Sequence, residues 1–247
     1  MSITKSIINF LKKLKSLLFY ECWTCEICKT EVFNGEYVCK DCQNRLERLS
    51  LLNSCDHCGR KTIMSMPYCN TCTNALTNFE VSKSVFNYVQ PITNLIHEYK
   101  YNGAKYLKNF FASELELLYR NNQELKADVI TYIPMTKKSL KKRKYNQTKL
   151  LAEILSTKLN LPMVEPLEKV KETSRQATLN KRERQMNLKS AYKLKNKKEI
   201  QNKVVLIVDD VTTTGSTINN VSKILTNGGA KSVKAITIAS VATNNYN

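Results

Sequence analysis

The chain has 247 residues, room for one full domain and a small accessory one. Lys and Arg number 39 against 21 Asp and Glu, a net charge of +18, and the excess sits late: residues 1–75 are net +3 and residues 76–247 net +15. This favours polyanionic partners, nucleic acid or phosphates, and no run approaches the ~18 consecutive apolar residues of a membrane span.

Residues 1–20, MSITKSIINFLKKLKSLLFY, set Ile3, Ile7, Leu11, Leu14 and Leu18 at helical spacing, with Lys5, Lys12, Lys13 and Lys15 largely off that stripe. Lysines interrupt the apolar stretches and no small-residue cleavage site follows, so the segment is not a secretory signal. A basic amphipathic helix of this kind packs on its own protein, docks a partner or lies on an anionic membrane. The chain is otherwise expected in the cytoplasm.

All nine cysteines fall between residues 22 and 72. Eight form two units of spacing C-x2-C-x10-C-x2-C: Cys25, Cys28, Cys39 and Cys42, then Cys55, Cys58, Cys69 and Cys72. A C-x-x-C turn converges two thiolates on one cation, and a second turn completes a tetrahedral shell, which points to structural Zn2+. Disulfides are disfavoured without an export signal, whereas spacing alone leaves an iron–sulfur cluster open. It also leaves open whether the pairs combine sequentially or interleave, and how many ions bind. Cys22 is left over. Residues 21–75 thus read as a cysteine-rich metal-binding domain whose filled shell leaves no open position for a reactive water.

From residue 76 the pattern becomes α/β. VSKSVFNYV (81–89) reads as an edge strand, ITNLIHEYKY and LKNFFASELELLYR as helices, DVITYIP as a strand and residues 145–160 as a helix with Leu150, Leu151, Ile154, Leu155 and Leu159 on one face. VVLIVDD is a buried strand, STINNVSKILTNGG a helix stopped by Gly228 and Gly229, and SVKAITIASV a last strand. Strands joined by helices predict an α/β domain with a mainly parallel sheet over residues 76–247.

In such a sheet ligands bind beyond the carboxyl ends of the strands. There the chain places Asp209, Asp210, Val211, Thr212, Thr213, Thr214, Gly215, Ser216 and Thr217, between a strand at 203–208 and a helix from Ser216. Amides of a glycine-containing turn at a helix N-terminus cradle an anion, and the hydroxyls add donors. Two carboxylates would repel that anion unless they face sugar hydroxyls attached to it, so a phosphorylated ribose is the ligand the motif predicts. A dinucleotide fold is disfavoured because G-x-G-x-x-G is absent, and a P-loop because no G-K-[ST] follows the turn.

The apolar strand, two acids and T-T-G-x-T resemble the phosphoribosyl-pyrophosphate motif of type I phosphoribosyltransferases. With the cysteine units, LIHEYKYNG (95–103), IPMTKKSLKKRKYNQ (133–147) and TSRQATLNKRERQMNLKSAY (173–192), the chain resembles the ComF family of competence proteins from about Cys25 to the last strand. The resemblance implies a zinc-binding region joined to a phosphoribosyltransferase-like domain, a role in natural transformation with single-stranded DNA, and a DNA-uptake helicase as partner. The family's R-G-[FY]-N-Q falls on Arg143, Lys144, Tyr145, Asn146 and Gln147, with lysine in place of the glycine. Its Q-x2-L-x4-R-x2-N falls on Gln176, Leu179, Arg184 and Asn187, in the place of a hood loop over substrate. Its V-P-L-H loop is replaced by Ile133–Pro134–Met135–Thr136, and Lys100 and Gly103 match its K-Y-x-G.

Residues 137–147 hold six basic side chains, and 171–203 eleven basic against three acidic. Arg143 and Arg184 are the first candidates for phosphate, because a guanidinium binds it bidentately, and Tyr145 and Tyr192 are candidates to stack on bases. Three functions follow: a transferase using phosphoribosyl pyrophosphate with Mg2+, a DNA-handling protein that binds the same ligand without turnover, and a zinc-dependent helicase adaptor.

Overall fold

The structure, a computed structural model, describes residues 23–33, 36–49, 53–74, 76–172 and 191–243. The expected helix over 1–20, Cys22, and the hood candidates Gln176, Leu179, Arg184 and Asn187 lie outside these residues. By compactness the chain divides into Met1–Arg45 and Leu46–Asn247. The first cysteine unit falls in the former and the second in the latter.

In the first unit, strands β1 (Trp23–Thr24) and β2 (Glu31–Val32) pair antiparallel around the first C-x-x-C turn. Lys29 closes that turn at φ 63°, its N–H donating to the Cys25 carbonyl at 2.8 Å. Cys39 then caps the short helix α1 (Lys40–Asn44), its sulfur accepting from Cys42 N. The second cysteine unit repeats this plan. Gly59 closes its turn at φ 65°, its N–H donating to the Cys55 carbonyl, and Cys69 precedes helix α2 (Asn70–Thr73). Here glycine is required for space as well as for φ. A Cβ on Gly59 would meet the Ser82 carbonyl at 2.6 Å and Lys83 Cα at 2.7 Å, because the turn lies directly on the sheet.

That sheet contains β3 (Val81–Asn87), β4 (Val129–Tyr132), β7 (Val204–Thr212) and β8 (Ser232–Ser240) in the order β3-β8-β7-β4, all parallel. Its central strands read as continuous apolar runs because helices cover both faces. Helix α3 (Ile92–Tyr101) buries Ile92, Leu95, Ile96 and Tyr99, and α4 (Leu107–Arg120) buries Leu107, Phe111, Ala112 and Leu115, each the stripe of a 3.6-residue period. A short basic helix, α5 (Lys137–Arg143), leads through Lys144 into α6 (Gln147–Leu159). Between α6 and β7, β5 (Leu167–Lys169) and β6 (Tyr192–Leu194) pair antiparallel. Helix α7 (Ser216–Asn227) turns Ile218, Val221 and Leu225 into the core, and Gly228 and Gly229 follow it.

The edge strand β3 is buried at all seven positions, since a covering segment satisfies its outer backbone. Ser82 N donates to the His57 carbonyl at 2.8 Å, Leu49 N to Val85 at 2.8 Å, and Asn87 N to Glu47 at 3.0 Å. The second cysteine unit is joined to the core by packing as well. Cys55, Cys58 and Cys69 share one buried cluster with Phe79, Val205, Ile207 and Val221.

Candidate functional site

Strand β7 runs two residues beyond the VVLIVDD read as a strand from sequence. It carries Asp209 and Asp210 inside the ladder and ends at Thr212, so the turn proper is only residues 213–215. Pairing with Thr237 through Ser240 of β8 extends it. Successive strand residues point to opposite faces. Asp209 therefore shares the side of Val205 and Ile207, while Asp210 meets α3 and α6 on the other.

Asp210 is buried and held from three directions. Lys100 Nζ donates to Oδ1 at 2.7 Å, Gln147 Nε2 to Oδ2 at 2.6 Å, and its neighbour Val211 N to Oδ1 at 2.6 Å. Burial alone would push this carboxyl up, but the Lys100 charge and hydrogen bond outweigh burial and hold it below its ordinary value. Lys100 is itself half-buried, a desolvation penalty that the Asp210 charge and hydrogen bond more than offset. Asp209 has no ion pair among the described residues and accepts from Asp210 N at 2.8 Å. Burial first, then the adjacent Asp210 charge, pushes its carboxyl up to about 7. One acid of the pair is thus fixed as an anion and the other is poised to titrate near neutrality.

Beyond them the turn is open. Thr213, Thr214 and Ser216 are exposed, and the Thr214 and Ser216 hydroxyls lie 2.7 Å apart. Gly215 caps α7 at φ 75°, and a Cβ there would touch nothing within 4 Å, so the glycine answers the backbone and leaves the approach clear. No side chain caps α7, so neither Asp209 nor Asp210 serves as its cap. Thr212 Oγ1 and Gln147 Oε1 are buried with no hydrogen-bond partner among the described residues. Such orphans cost about 1–3 kcal/mol each unless a partner arrives.

The stretch 143–147 is a scaffold more than a surface. Arg143 is half-buried, its guanidinium 4.6 Å from the Tyr101 ring centroid and donating to the Tyr101 hydroxyl at 3.1 Å. Tyr145 is buried, donates to the Tyr99 carbonyl and has Lys105 Nζ 4.8 Å from its ring centroid. Tyr192 is likewise buried, with Lys169 beside its ring. Neither ring has a face left for a base, which corrects the stacking expected of them. Asn146 caps α6, accepting from Thr148 N and Lys149 N, and donates to the Ile133 carbonyl at 3.1 Å. It thereby ties α6 to the loop Ile133–Thr136 that follows β4. Sequence reasoning matched Lys100 to a motif without assigning it a role. Its pairing with Asp210 spans 110 positions, and no local pattern could announce it.

The cysteines combine sequentially. Within each of the sets Cys25, Cys28, Cys39, Cys42 and Cys55, Cys58, Cys69, Cys72, all sulfurs lie within 4.8 Å of one another. Bonds of ~2.3 Å to a tetrahedral zinc imply S–S edges of about 3.8 Å. Cys28–Cys39 and Cys58–Cys69 are each 3.7 Å apart, which suits one ion at the centre of each set. Backbone donors support anionic sulfur: Cys39 N to Cys25 Sγ at 3.4 Å, and Cys69 N to Cys55 Sγ at 3.2 Å. Arg45 adds a donor to Cys42 Sγ at 3.2 Å in the first set. In the second, the buried Arg60 donates to Cys58 and Cys69 Sγ. The donor chemistry fits zinc.

The family described as phosphoribosyl transferase domain matches residues 148–246. Competence protein F of Haemophilus influenzae is 30% identical over 203 residues, covering 80% of this chain and 87% of that protein. The chain belongs to the ComF family of competence proteins. Another relative of this ComF chain, the DNA utilization protein YhgH of Escherichia coli, is 28% identical over 86% of this chain and 93% of its own. Among solved structures, a B. subtilis glutamine phosphoribosylpyrophosphate amidotransferase aligns with 51% of this chain and 26% of its own, at 18% identity and a TM-score of 0.36. The domain match and the all-parallel order make the ComF sheet one of phosphoribosyltransferase type. No helix among the described residues is long and apolar enough to cross a membrane.

Proposed function

We propose that this ComF chain binds a phosphorylated ribose, phosphoribosyl pyrophosphate first, at residues 209–217, and uses that site in handling single-stranded DNA during natural transformation. The Thr213–Gly215 turn carries the reading: exposed hydroxyls open onto the N-terminus of a helix of 12 residues, directly beyond two buried acids. Asp209, with most of its lone pairs free of protein donors, takes the ribose hydroxyls, and Asp210 holds Lys100 and Gln147 in place. Mg2+ enters on the diphosphate, held mostly by ligand oxygens and water. For DNA, the support is the names of the relatives and the exposed lysines of α5, Lys137, Lys138, Lys141 and Lys142.

Calorimetry with phosphoribosyl pyrophosphate and Mg2+, competed by ribose 5-phosphate and by single-stranded DNA, tests both halves. Neutralising Lys141 and Lys142 should weaken DNA binding and flatten its dependence on salt, since each phosphate contact contributes to the slope. A weaker affinity with an unchanged slope counts against a phosphate-binding role for α5.

A second reading has its own support. Ile63, Met64, Tyr68 and Leu76, around the second metal turn, are exposed apolar side chains, suited to docking a DNA-uptake helicase. Replacing Met64 and Tyr68 with serine should abolish helicase capture and spare ligand binding.

A further inference from the structure

Arg60 occupies the seam between the second metal turn and the ligand turn. The residue is buried at 5% exposure, and its guanidinium reaches three acceptors at once. Nε donates to Cys58 Sγ at 3.4 Å, Nη2 to Cys69 Sγ at 3.5 Å, and Nη1 to the Thr213 carbonyl at 3.1 Å. Only a planar fork serves acceptors in that arrangement. In the first metal unit Arg45 instead donates to Cys42 and to the Asp41 carbonyl, both within its own turn.

The contact fixes more than one atom. A trans peptide sends its N–H opposite to its carbonyl. Holding the Thr213 carbonyl toward the cysteines therefore turns the Thr214 N–H away from them, and no described residue accepts from that N–H. An orphan amide in an exposed, hydroxyl-rich turn is the donor that an anion takes. At the other end, a metal ion fixes the four sulfurs at the corners of one tetrahedron. Without it the two sulfurs are no longer tied to one centre, and the guanidinium loses the anionic surroundings that make its burial tolerable.

We propose that Arg60 is a positioning residue through which the metal in Cys55, Cys58, Cys69 and Cys72 sets the conformation of the ligand turn, so that sugar phosphate binds only to the metal-filled form. The inference rests on the sugar-phosphate reading of residues 209–217. Its test reads the turn itself, so the two can fail separately.

The experiment uses full-length, reductively purified, metal-loaded protein with Arg60→Met and Arg60→Lys. Metal content is counted, amide hydrogen exchange is followed over 212–217 and over 204–210, and ribose 5-phosphate affinity is measured by calorimetry. Arg60→Met should keep its metal and its protection over 204–210, exchange faster over 212–217, and bind ribose 5-phosphate about tenfold or more weakly. Arg60→Lys, which keeps the charge and loses the fork, should fall between. A chelator should loosen 212–217 in the parent protein and add little in Arg60→Met, the non-additivity expected of one shared path. Unchanged exchange over 212–217 in either metal-filled variant overturns the proposal. So does loss of metal from both variants, which would make Arg60 a support of the metal shell alone. If the parent protein ignores ribose 5-phosphate, the sugar-phosphate reading falls, and the exchange data still decide the link from metal to turn.

Discussion

Lys144 sits at φ 67°, where a side chain costs about 1–2 kcal/mol, and its N–H closes α5 on the Leu140 carbonyl at 2.7 Å. The family's glycine would take this conformation freely. Lys144→Gly should therefore raise stability by about 0.5–1 kcal/mol after the added freedom of the unfolded chain is counted, read as a shift in urea midpoint. The acids make a sharper test because their signs oppose. Asp209 is raised from 3.8 to about 7, so the folded state holds the extra proton between those values, and its stabilising contribution is lost as pH rises through 7. Asp209→Asn should be more stable than the parent above pH 7 and lose part of that pH dependence. Asp210 is lowered, so its contribution is present above the ordinary carboxylate value and lost as pH falls. Asp210→Asn strands Lys100 in the interior and should cost about 3–5 kcal/mol at neutral pH. Thermal melts from pH 4 to 8 check both, and equal responses of the two variants would refute the division of roles.

Among elements, the helices and the central strands were legible because each carries a clean period: Leu95, Ile96 and Tyr99 in α3, and the unbroken apolar run of β7. The extension of β7 past its acids to Thr212 was not, since a hydroxyl-rich stretch reads as loop until a neighbour pairs with it, as Ser240 does with Thr212. The antiparallel pair β5–β6 was missed for another reason. Each strand has 3 residues, and their partnership crosses a stretch with no apolar rhythm. The motif 143–147 was recognised by its letters, yet its physical role is that of a joint. Asn146 caps α6 and grips Ile133, so Asn146→Ala should cost about 1–2 kcal/mol and loosen the loop after β4. Chemical unfolding gives the first figure and hydrogen exchange over 133–136 the second.

For the whole molecule, the cysteine spacing announced two metal sets but not that they belong to different compact units. That distinction depends on Gly59 lying on β3 and on Cys69 joining the core beneath α7, contacts remote in sequence. Cys39→Ser should thus remove one metal and leave the melting of the sheet unit unchanged. Cys69→Ser should remove one metal and lower that melting temperature, and equal melting of the two variants would contradict the assignment. The cover on β3 carries a further consequence. Among the residues at its outer hydrogen-bonding positions, His57 lies inside the second C-x-x-C turn, so the cover at that end depends on the same cation. Metal starvation would then do more than idle the protein. It would bare the Ser82 end of a parallel-sheet edge, a template for pairing with another copy. Chelation should produce light scattering that rises steeply with protein concentration, so that metal supply limits how much of the protein a cell can keep dissolved.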